Sequence, residues 1–297
     1  MKHVFIINPT SGKGKSYKLI SVIQDYFKEN PGCFEILITE APKHATELAS
    51  NYKSDACIYS VGGDGTAYEV LNGLQPGVEM AIIPAGTGND YFSMQKYPKD
   101  DLNEILIQTI EGRVVDVDYG LANGHKFLNC FCMGLDAEVV QHANQFSKKY
   151  PIPNNMSYMA SVLKTITSPK AIHAHATIDD IEVDISAILI AVMNGQYYGG
   201  GFNPTPDASI QDGILDVLFV DYLKMRQIIP LLPKYFGGRH QDVEAVHPYN
   251  GKRIHISIDR EFVYCCDGET YFASEYDIQV IENGLRLRVP KESELKS

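Results

Sequence analysis

The hexapeptide Val61-Gly62-Gly63-Asp64-Gly65-Thr66 constrains the fold of this chain more than any other feature. It ends the apolar stretch Ala56–Val61, which is typical of a buried strand, and it precedes a predicted helix from about Thr66 to Asn72. Because glycine has no Cβ, the backbone N–H groups of such a loop can approach a phosphate closely. The helix would direct its positive N-terminal end to the same place. The loop alone therefore predicts either a nucleotide-phosphate site or a glycine-rich turn in which Asp64 caps the helix.

Composition narrows the class of protein. With 297 residues, of which 44% are apolar and 21% are charged, the chain is expected to form one or two globular domains. Its net charge of −11 argues against nucleic-acid binding. None of its cysteines has C-x-x-C spacing, so we expect reduced, buried thiols and a cytoplasmic location. Its N-terminal apolar stretch is too short for a signal peptide, and no apolar run approaches the ~20 residues of a transmembrane helix.

The first part of the chain alternates between strand and helix patterns, which predicts a three-layer α/β domain with parallel crossovers. The predicted strands are Val4–Ile7, Ile36–Ile38, Ala56–Val61, Met80–Ile83 and Val114–Val117. The other predicted helices are Tyr17–Phe27, Ala45–Tyr52 and Asn103–Ile110.

Beyond Asn123-Gly124 short strands and turn residues dominate, which predicts a β-rich second domain. The predicted strands are Lys126–Cys132, Ala174–Ile178, Glu182–Val192, Leu215–Val220, Arg253–Ile258, Phe262–Cys266 and Ile278–Val280. Asn250-Gly251 is predicted to form a turn, and helices are predicted at Met156–Ile166 and Lys224–Phe236.

Two further glycine-containing loops follow predicted strands of the first domain. Asn8-Pro9-Thr10-Ser11-Gly12-Lys13-Gly14-Lys15 does not fit G-x-x-x-x-G-K-[ST], because the first glycine is missing at the required offset. It still offers hydroxyls, glycines and lysines, although a polar helix-capping turn explains it as well. Pro84-Ala85-Gly86-Thr87-Gly88-Asn89-Asp90 has the same character. Because ligands bind at the carboxyl ends of parallel strands, three such loops are expected to converge on one cleft.

The series of motifs resembles the diacylglycerol kinase catalytic family, which includes sphingosine kinases, ceramide kinases and compact bacterial lipid kinases. The resemblance runs in order through nearly the whole chain. The remaining matching motifs are Val117-Asp118-Tyr119-Gly120, Asn194-Gly195, Gly199-Gly200-Gly201, Pro206-Asp207-Ala208, Asp212-Gly213 and Asp267-Gly268-Glu269.

This resemblance implies a two-domain fold and ATP-dependent phosphorylation of a lipid hydroxyl. The expected domains are an ATP-binding α/β domain over 1–124, and a β-sandwich-like lipid-substrate domain over 125–285. Residues 286–297 are expected to return to the first domain. The active site is expected in the interdomain cleft.

The resemblance also implies roles for individual residues. Glu269 corresponds to the general base, and Asp64 and Asp118 correspond to carboxylates of a catalytic Mg²⁺ network. Asp212, with backbone oxygens of Ser209 and Ile214, corresponds to a second, structural Mg²⁺ site. The ATP-binding positions are Asn8, Pro9, Thr10, Ser11, Gly12, Thr39, Gly62, Gly63, Asp64, Gly65, Thr66 and Thr87.

Several alternatives stay open at this point. A soluble-substrate kinase of the NAD-kinase or phosphofructokinase type also uses a Gly-Gly-Asp-Gly-Thr loop, and a catalytically silent lipid-binding protein would keep the fold. The sequence does not name the lipid. We expect a transient, peripheral encounter with a lipid substrate at the inner membrane face. For Phe146–Pro169, rich in lysine and apolar residues, we weigh contact with the bilayer against packing on the second domain. A homodimer is compatible with the family.

Overall fold

A computed structural model describes residues 1–98, 100–149, 161, 164–167 and 169–296, with the backbone alone for 143–149. Most of the predicted helix Met156–Ile166 lies outside the described residues, and so does most of the Phe146–Pro169 segment. Within the described ranges, no helix is long and apolar enough to cross a membrane. The chain divides into two compact units, one formed by Met1–Tyr119 with Glu282–Ser297 and the other by Gly120–Ile281.

The first unit is built from alternating strands and helices, as the sequence predicts. Its strands β1 to β5 are Lys2–Ile7, Phe34–Ile38, Ala56–Gly62, Glu79–Pro84 and Arg113–Ala122, the last of which continues into the second unit. Its helices α1 to α5 are Lys15–Tyr26, His44–Ser50, Asp64–Gly73, Asp90–Ser93 and Leu102–Ile110.

The second unit is rich in β-structure, which confirms the predicted change of character along the chain. Its strands β6 to β12 are His125–Phe127, Cys130–Gly134, Ile172–Ile178, Ile181–Met193, Leu215–Asp221, Val246–Gly251 and Arg253–Cys266. Strand β13, Glu269–Val289, begins in this unit and ends in the first one. Helix α6 is Leu135–Lys149 and helix α7 is Met225–Phe236.

The strands of the first unit are parallel and lie in the order β4, β3, β1, β2. Strand β3 is buried along its whole length, as expected for a central parallel strand covered on both faces. The register places Ile7 beside Val61 and Gly62 beside Pro84. The loops that follow β1, β3 and β4 therefore begin side by side at one edge of the sheet.

The strands of the second unit are antiparallel, in the order β11, β10, β9, β7, β12, β13. Strand β8 pairs with the first part of β9 and with the first part of β12, while the later parts of these two strands pair with β7. The long strands β9 and β12 thereby serve two sets of neighbours.

Two predictions about the second unit are wrong, and one helix was not predicted. The expected single strand Lys126–Cys132 is two strands. The interruption arises because the backbone N–H groups of Leu128, Asn129 and Cys130 donate to the Asp267 carboxylate rather than to a neighbouring strand. Asn250-Gly251 does not form a turn, since both residues pair with β10. Helix α6 was not predicted.

The last part of β13 is bound to the first unit by strand pairing and by a buried ion pair. Arg286 to Arg288 pair in parallel with Glu79 to Ala81. The Glu79 carboxylate, which is buried, accepts from Arg288 Nη2 at 2.9 Å and lies 3.2 Å from Arg286 Nη2. Arg288 also donates to the carbonyl oxygen of Gly112 at 2.9 Å. One carboxylate therefore forms ion pairs with two guanidinium groups at this junction.

We predict that Glu79→Gln lowers the free energy of unfolding by about 3 kcal/mol, because it leaves the buried Arg288 charge without its partner. The matched control is Glu111→Gln, which removes the partner of Lys291 in an exposed pair of the same C-terminal segment. Chemical denaturation of both variants checks the prediction. Equal midpoints for Glu79→Gln and the control would contradict it.

Candidate active site

Asn8 connects the first loop of the parallel sheet to the second. Its N–H continues the ladder from β1 by donating to the carbonyl oxygen of Val61 at 3.0 Å. Its side-chain Nδ2 donates to Thr66 Oγ1 at 3.3 Å, and its Oδ1 accepts from Thr10 N and Oγ1 at 3.2 and 2.9 Å. The amide of a single residue thus fixes Thr10 on one side and Thr66 on the other.

The first loop has a backbone that only glycine adopts easily. Gly12, Lys13 and Gly14 all have positive φ, at 56°, 60° and 87°. A Cβ on Gly12 would lie 2.2 Å from the carbonyl oxygen of Ala85, which belongs to the third loop. The first loop therefore lies directly against the third.

The second and third loops meet through their glycines. A Cβ on Gly86 would lie 2.3 Å from the Cα of Gly63, so no side chain fits between the two backbones. The third loop is closed by Asn89, which has φ 58° and accepts from Gly86 N at 2.9 Å through its Oδ1. The three glycine loops predicted to converge are therefore in mutual contact.

Asp64 lies at the first residue of α3 and is partly buried. Its Oδ1 accepts from the backbone N–H of Tyr91 at 3.2 Å, which holds α4 against the start of α3. Among the other predicted ATP-binding positions, Thr87 is exposed in the third loop. Thr39 follows β2 and donates its N–H to Ile7 at 2.9 Å. All of these groups lie at the same edge of the sheet, where the positive end of α3 also points.

Asp118, on β5, is 1% exposed, and its Oδ1 accepts from the N–H of Asn283 at 2.7 Å. Asn283 has a positive φ of 49° within β13. Asp118 therefore holds an irregular point of the returning strand. Its role in a magnesium network stays a prediction.

In the second unit, Glu269 is held by a two-residue hairpin turn. Asp267 and Gly268 have φ of 45° and 97°, and Cys266 pairs with Glu269 across the turn, as in a type I′ hairpin. The Asp267 carboxylate accepts three backbone N–H groups, from Leu128 at 2.5 Å and from Asn129 and Cys130 at 2.9 Å. Glu269 itself is exposed at the first residue after this anchored turn. Asp267 therefore fixes the turn that positions Glu269. The sequence indicates Asp267 only as a member of the Asp267-Gly268-Glu269 motif.

Asn129 and Asn194 extend this anchor into the unit. Asn194 donates to the carbonyl oxygen of Leu128 at 2.7 Å through Nδ2 and to that of Asn129 at 2.8 Å through its backbone. A Cβ on Gly195 would lie 2.3 Å from Asn129 Oδ1, which explains the glycine after Asn194. The Asn194-Gly195 motif therefore supports the strand that receives the Asp267 turn.

The predicted structural metal site lies in a tight turn before β10. Asp212 is exposed, and its Oδ1 accepts from the N–H of Ile214 at 3.2 Å, while Ser209 Oγ accepts from Gln211 N at 3.2 Å. Burial, followed by the negative charges of Asp212 and Asp207, raises the pKa of Asp216 to about 6.

Clustered carboxylate charge of this kind fits a hard divalent cation. No set of three or more His, Cys, Asp or Glu side chains in the described part of the chain is arranged to hold a metal. A magnesium ion that takes backbone carbonyl and water ligands needs fewer side chains than that. The magnesium site at Ser209, Asp212 and Ile214 stays a prediction.

A feature that sequence reasoning missed is an apolar cavity inside the second unit. Its empty space is about 570 Å³ with the mouth included, of which about 50 Å³ is wide enough for the centre of a water molecule. The walls are formed by helices α6 and α7 and by strands β9 and β10. The lining side chains include Val139, Ile188, Phe202, Val220, Ile228 and Leu231. The cavity is therefore a narrow slot with an almost entirely apolar wall.

One acid lies in that wall. Asp136, in the first turn of α6, accepts a hydrogen bond from the Tyr198 hydroxyl, which lies 2.9 Å from the Tyr235 hydroxyl. Burial raises the pKa of Asp136 to about 7, although the hydrogen bond from Tyr198 acts in the opposite direction. The cavity therefore holds a carboxyl group whose neutral form is favoured by burial.

The parallel sheet with three touching glycine loops, followed by an antiparallel, β-rich unit, is a two-domain architecture. Residues 2–122 match the family described as diacylglycerol kinase catalytic domain, and residues 129–289 match the YegS C-terminal NAD kinase beta sandwich-like domain. The chain belongs to the diacylglycerol kinase family.

Individual relatives agree with this assignment. A protein of Staphylococcus aureus (strain Newman) named "Putative lipid kinase" is 28% identical over 255 residues, covering 82% of this chain and 81% of the relative. A crystal structure described as "a putative diacylglycerol kinase from Bacillus anthracis str. Sterne" is 26% identical with a TM-score of 0.78, covering 97% of this chain and 95% of the other. A second such structure, from the same organism, has a TM-score of 0.76 at 26% identity and covers 97% of both chains.

We predict that Gly86→Ala strongly destabilises the first unit, because its Cβ would overlap the Gly63 backbone. Gly65→Ala is the matched control, since a Cβ there meets nothing within 4 Å. Thermal unfolding of both variants measures the difference. A melting temperature of Gly86→Ala equal to that of Gly65→Ala would show that the close approach is not required.

We predict that Asp136 makes the second unit less stable as pH rises from its ordinary pKa of 3.8 towards about 7. In that window the folded state keeps a proton that the unfolded state has lost, so stability falls with pH, by on the order of a few kcal/mol in total. Asp136→Asn should flatten this dependence. The control Asp180→Asn, at an exposed carboxylate, should leave it unchanged.

Denaturation of the full chain at several pH values between these limits provides the measurement. Parallel pH profiles for the wild type and Asp136→Asn would contradict the prediction.

Proposed function

We propose that this protein is an ATP- and Mg²⁺-dependent lipid kinase that transfers the γ-phosphoryl group of ATP to a hydroxyl of diacylglycerol or a related lipid. The observation that carries the proposal is the combination of a three-loop phosphate cradle with an apolar slot in the substrate unit. Family membership supports phosphoryl transfer, and the slot supports a lipid rather than a soluble acceptor.

The phosphates of ATP would lie against the backbone of the three loops. Glycines 12, 63 and 86 leave no Cβ atoms at the points where these backbones meet, and α3 contributes its positive end. Thr10, Ser11, Thr66 and Thr87 offer hydroxyls, and Thr39 would lie near the nucleoside. Phosphoryl transfer depends mainly on such positioning and charge neutralisation.

Magnesium, when bound, neutralises charge on the phosphate oxygens. Asp64 and Asp118 would supply carboxylate oxygens towards it, and Ser209, Asp212 and Ile214 would hold a second, structural ion. In the proposed reaction, Glu269 accepts the proton of the lipid hydroxyl while the hydroxyl oxygen bonds to the γ-phosphorus. The bond between that phosphorus and the bridging oxygen of ADP breaks in the same displacement.

The apolar slot supports a lipid acceptor because it would cover acyl chain carbons. Its present width is small, so an acyl chain would have to displace the flanking side chains of α7. When protonated, the Asp136 carboxyl group would donate a hydrogen bond to an ester or hydroxyl oxygen at the polar end of the lipid. A substrate of the NAD type is charged and polar throughout, so its burial against such an apolar wall would be unfavourable.

We further propose that the enzyme meets its substrate transiently at the inner face of the cytoplasmic membrane. A homodimer stays a prediction, as does the interdomain position of the active site.

The mechanism predicts that Glu269→Gln lowers kcat by about 100-fold or more with little change in the KM for ATP, because only the proton acceptor is lost. Asp64→Asn should lower kcat and also weaken magnesium dependence. Glu275→Gln, on the same strand and also exposed, is the control and should be fully active. Turnover of ATP with extracted lipid is the assay. Unchanged turnover in Glu269→Gln and Asp64→Asn would show that these residues do not carry the chemistry.

A further inference from the structure

Helix α7 has an apolar surface that is wider than the core beneath it. Four of its side chains, Ile228, Leu231, Leu232 and Tyr235, face the cavity of the second unit. A neighbouring stripe at positions 225, 229, 233 and 236 lies beside the side that faces the cavity, and this spacing follows one side of a helix. At the end of the stripe the Phe236 ring also packs against Phe202, with ring centroids 5.1 Å apart. In that stripe Met225, Ile229 and Phe236 are 43%, 48% and 51% exposed.

Exposed apolar side chains are concentrated here. Nine large hydrophobic residues in the described part of the chain are exposed, and four of them lie between Tyr222 and Phe236. A single exposed apolar residue is ordinary, whereas several aligned on one helix indicate an interaction surface. We call the set Tyr222, Met225, Ile229 and Phe236 the α7 ridge.

The charge around the ridge has the opposite sign to the charge of the whole protein. Between Tyr222 and Arg239 the sequence contains Lys224, Arg226, Lys234 and Arg239 and no acidic residue, although the net charge of the chain is −11. All four cations are exposed. The nearest acids in sequence are Asp221, whose carboxylate lies 3.0 Å from His247 Nε2, and Asp242.

We propose that the α7 ridge docks on the surface of an anionic phospholipid bilayer. A helix with an apolar stripe and basic flanks lies in the plane of the interface, with the stripe in the acyl boundary and the cations at the headgroups. Charge complementarity favours this occupant, because a basic segment of an acidic protein would meet anionic lipid. This inference rests on the proposed function, and it places the contact on a helix different from the 146–169 segment.

The position of α7 connects membrane docking with entry of the lipid into the apolar slot. The same helix that carries the ridge forms a wall of the apolar slot through Ile228, Leu231 and Tyr235. A lipid that leaves the bilayer beside α7 would reach the slot without crossing bulk water. Insertion of the ridge would also bring the slot to the depth of the acyl chains.

The experiment is co-sedimentation of the full chain with vesicles of phosphatidylglycerol and phosphatidylcholine, without ATP. Ile229→Asp should weaken binding by about tenfold, because a carboxylate cannot enter the acyl layer. Ile181→Asp is the matched control, since Ile181 is 51% exposed, far along the chain from α7. Pure phosphatidylcholine vesicles or high salt should weaken wild-type binding, because the cations then lose their anionic partners. Melting temperatures establish that both variants fold.

Equal vesicle binding by Ile229→Asp and Ile181→Asp would overturn the proposal, and so would a wild-type protein that does not bind anionic vesicles. A wild-type dimer that Ile229→Asp converts to monomer, seen by sedimentation equilibrium, would assign the ridge to a second copy instead. Activity separates this proposal from the proposed function. Ile229→Asp should phosphorylate lipid in detergent micelles normally and lipid in vesicles poorly, whereas a protein inactive in both would leave the vesicle-binding result standing and reject the kinase assignment.

Discussion

The backbones of Gly63 and Gly86 approach so closely that a Cβ on Gly86 would lie 2.3 Å from the Cα of Gly63. This contact is possible because β3 and β4 are parallel neighbours whose ends are in register at Gly62 and Pro84. Asn8 then joins the loop after β1 to Thr66 from the other side. The proposed phosphate site requires that backbone, rather than side chains, lie against the phosphates. The glycines are therefore the condition on which the nucleotide half of the proposed chemistry depends.

In the second unit, a hydrogen-bonded turn fixes the position of the proposed base, Glu269. Glu269 is placed by an anchored turn, in which the Asp267 carboxylate collects three backbone N–H groups from the start of β7. The Asp267 carboxylate needs backbone N–H donors that are not already paired with a neighbouring strand. The interruption between β6 and β7 leaves such N–H groups available. The irregularity in the sheet and the position of the proposed base thus have one cause.

The sequence predicted the parts of this structure that depend on local signals. Strand ends, glycines and helical periodicity are read from neighbouring residues, so the three loops, helix α1 and helix α7 were anticipated closely. The Asp136–Tyr198–Tyr235 cluster was not, because its members are 62 and 37 positions apart and meet only through the packing of α6 and α7. The break in Lys126–Cys132 was missed for the same reason, since its cause lies 138 positions away at Asp267. The family resemblance identified Asp118, Asp212 and Glu269 as candidate site residues. It did not show which hydrogen bonds fix their positions.

We propose that the acceptor of the phosphoryl group is a lipid. Incubation of the protein with ATP labelled at the γ-phosphate, magnesium, and either a total lipid extract or NAD distinguishes the acceptors by extraction with organic solvent. We expect label in the organic phase with the lipid extract, in a product that mass spectrometry identifies as a phosphorylated lipid, and no labelled NAD product. Label that stays in the aqueous phase with lipid and appears in phosphorylated NAD would contradict it.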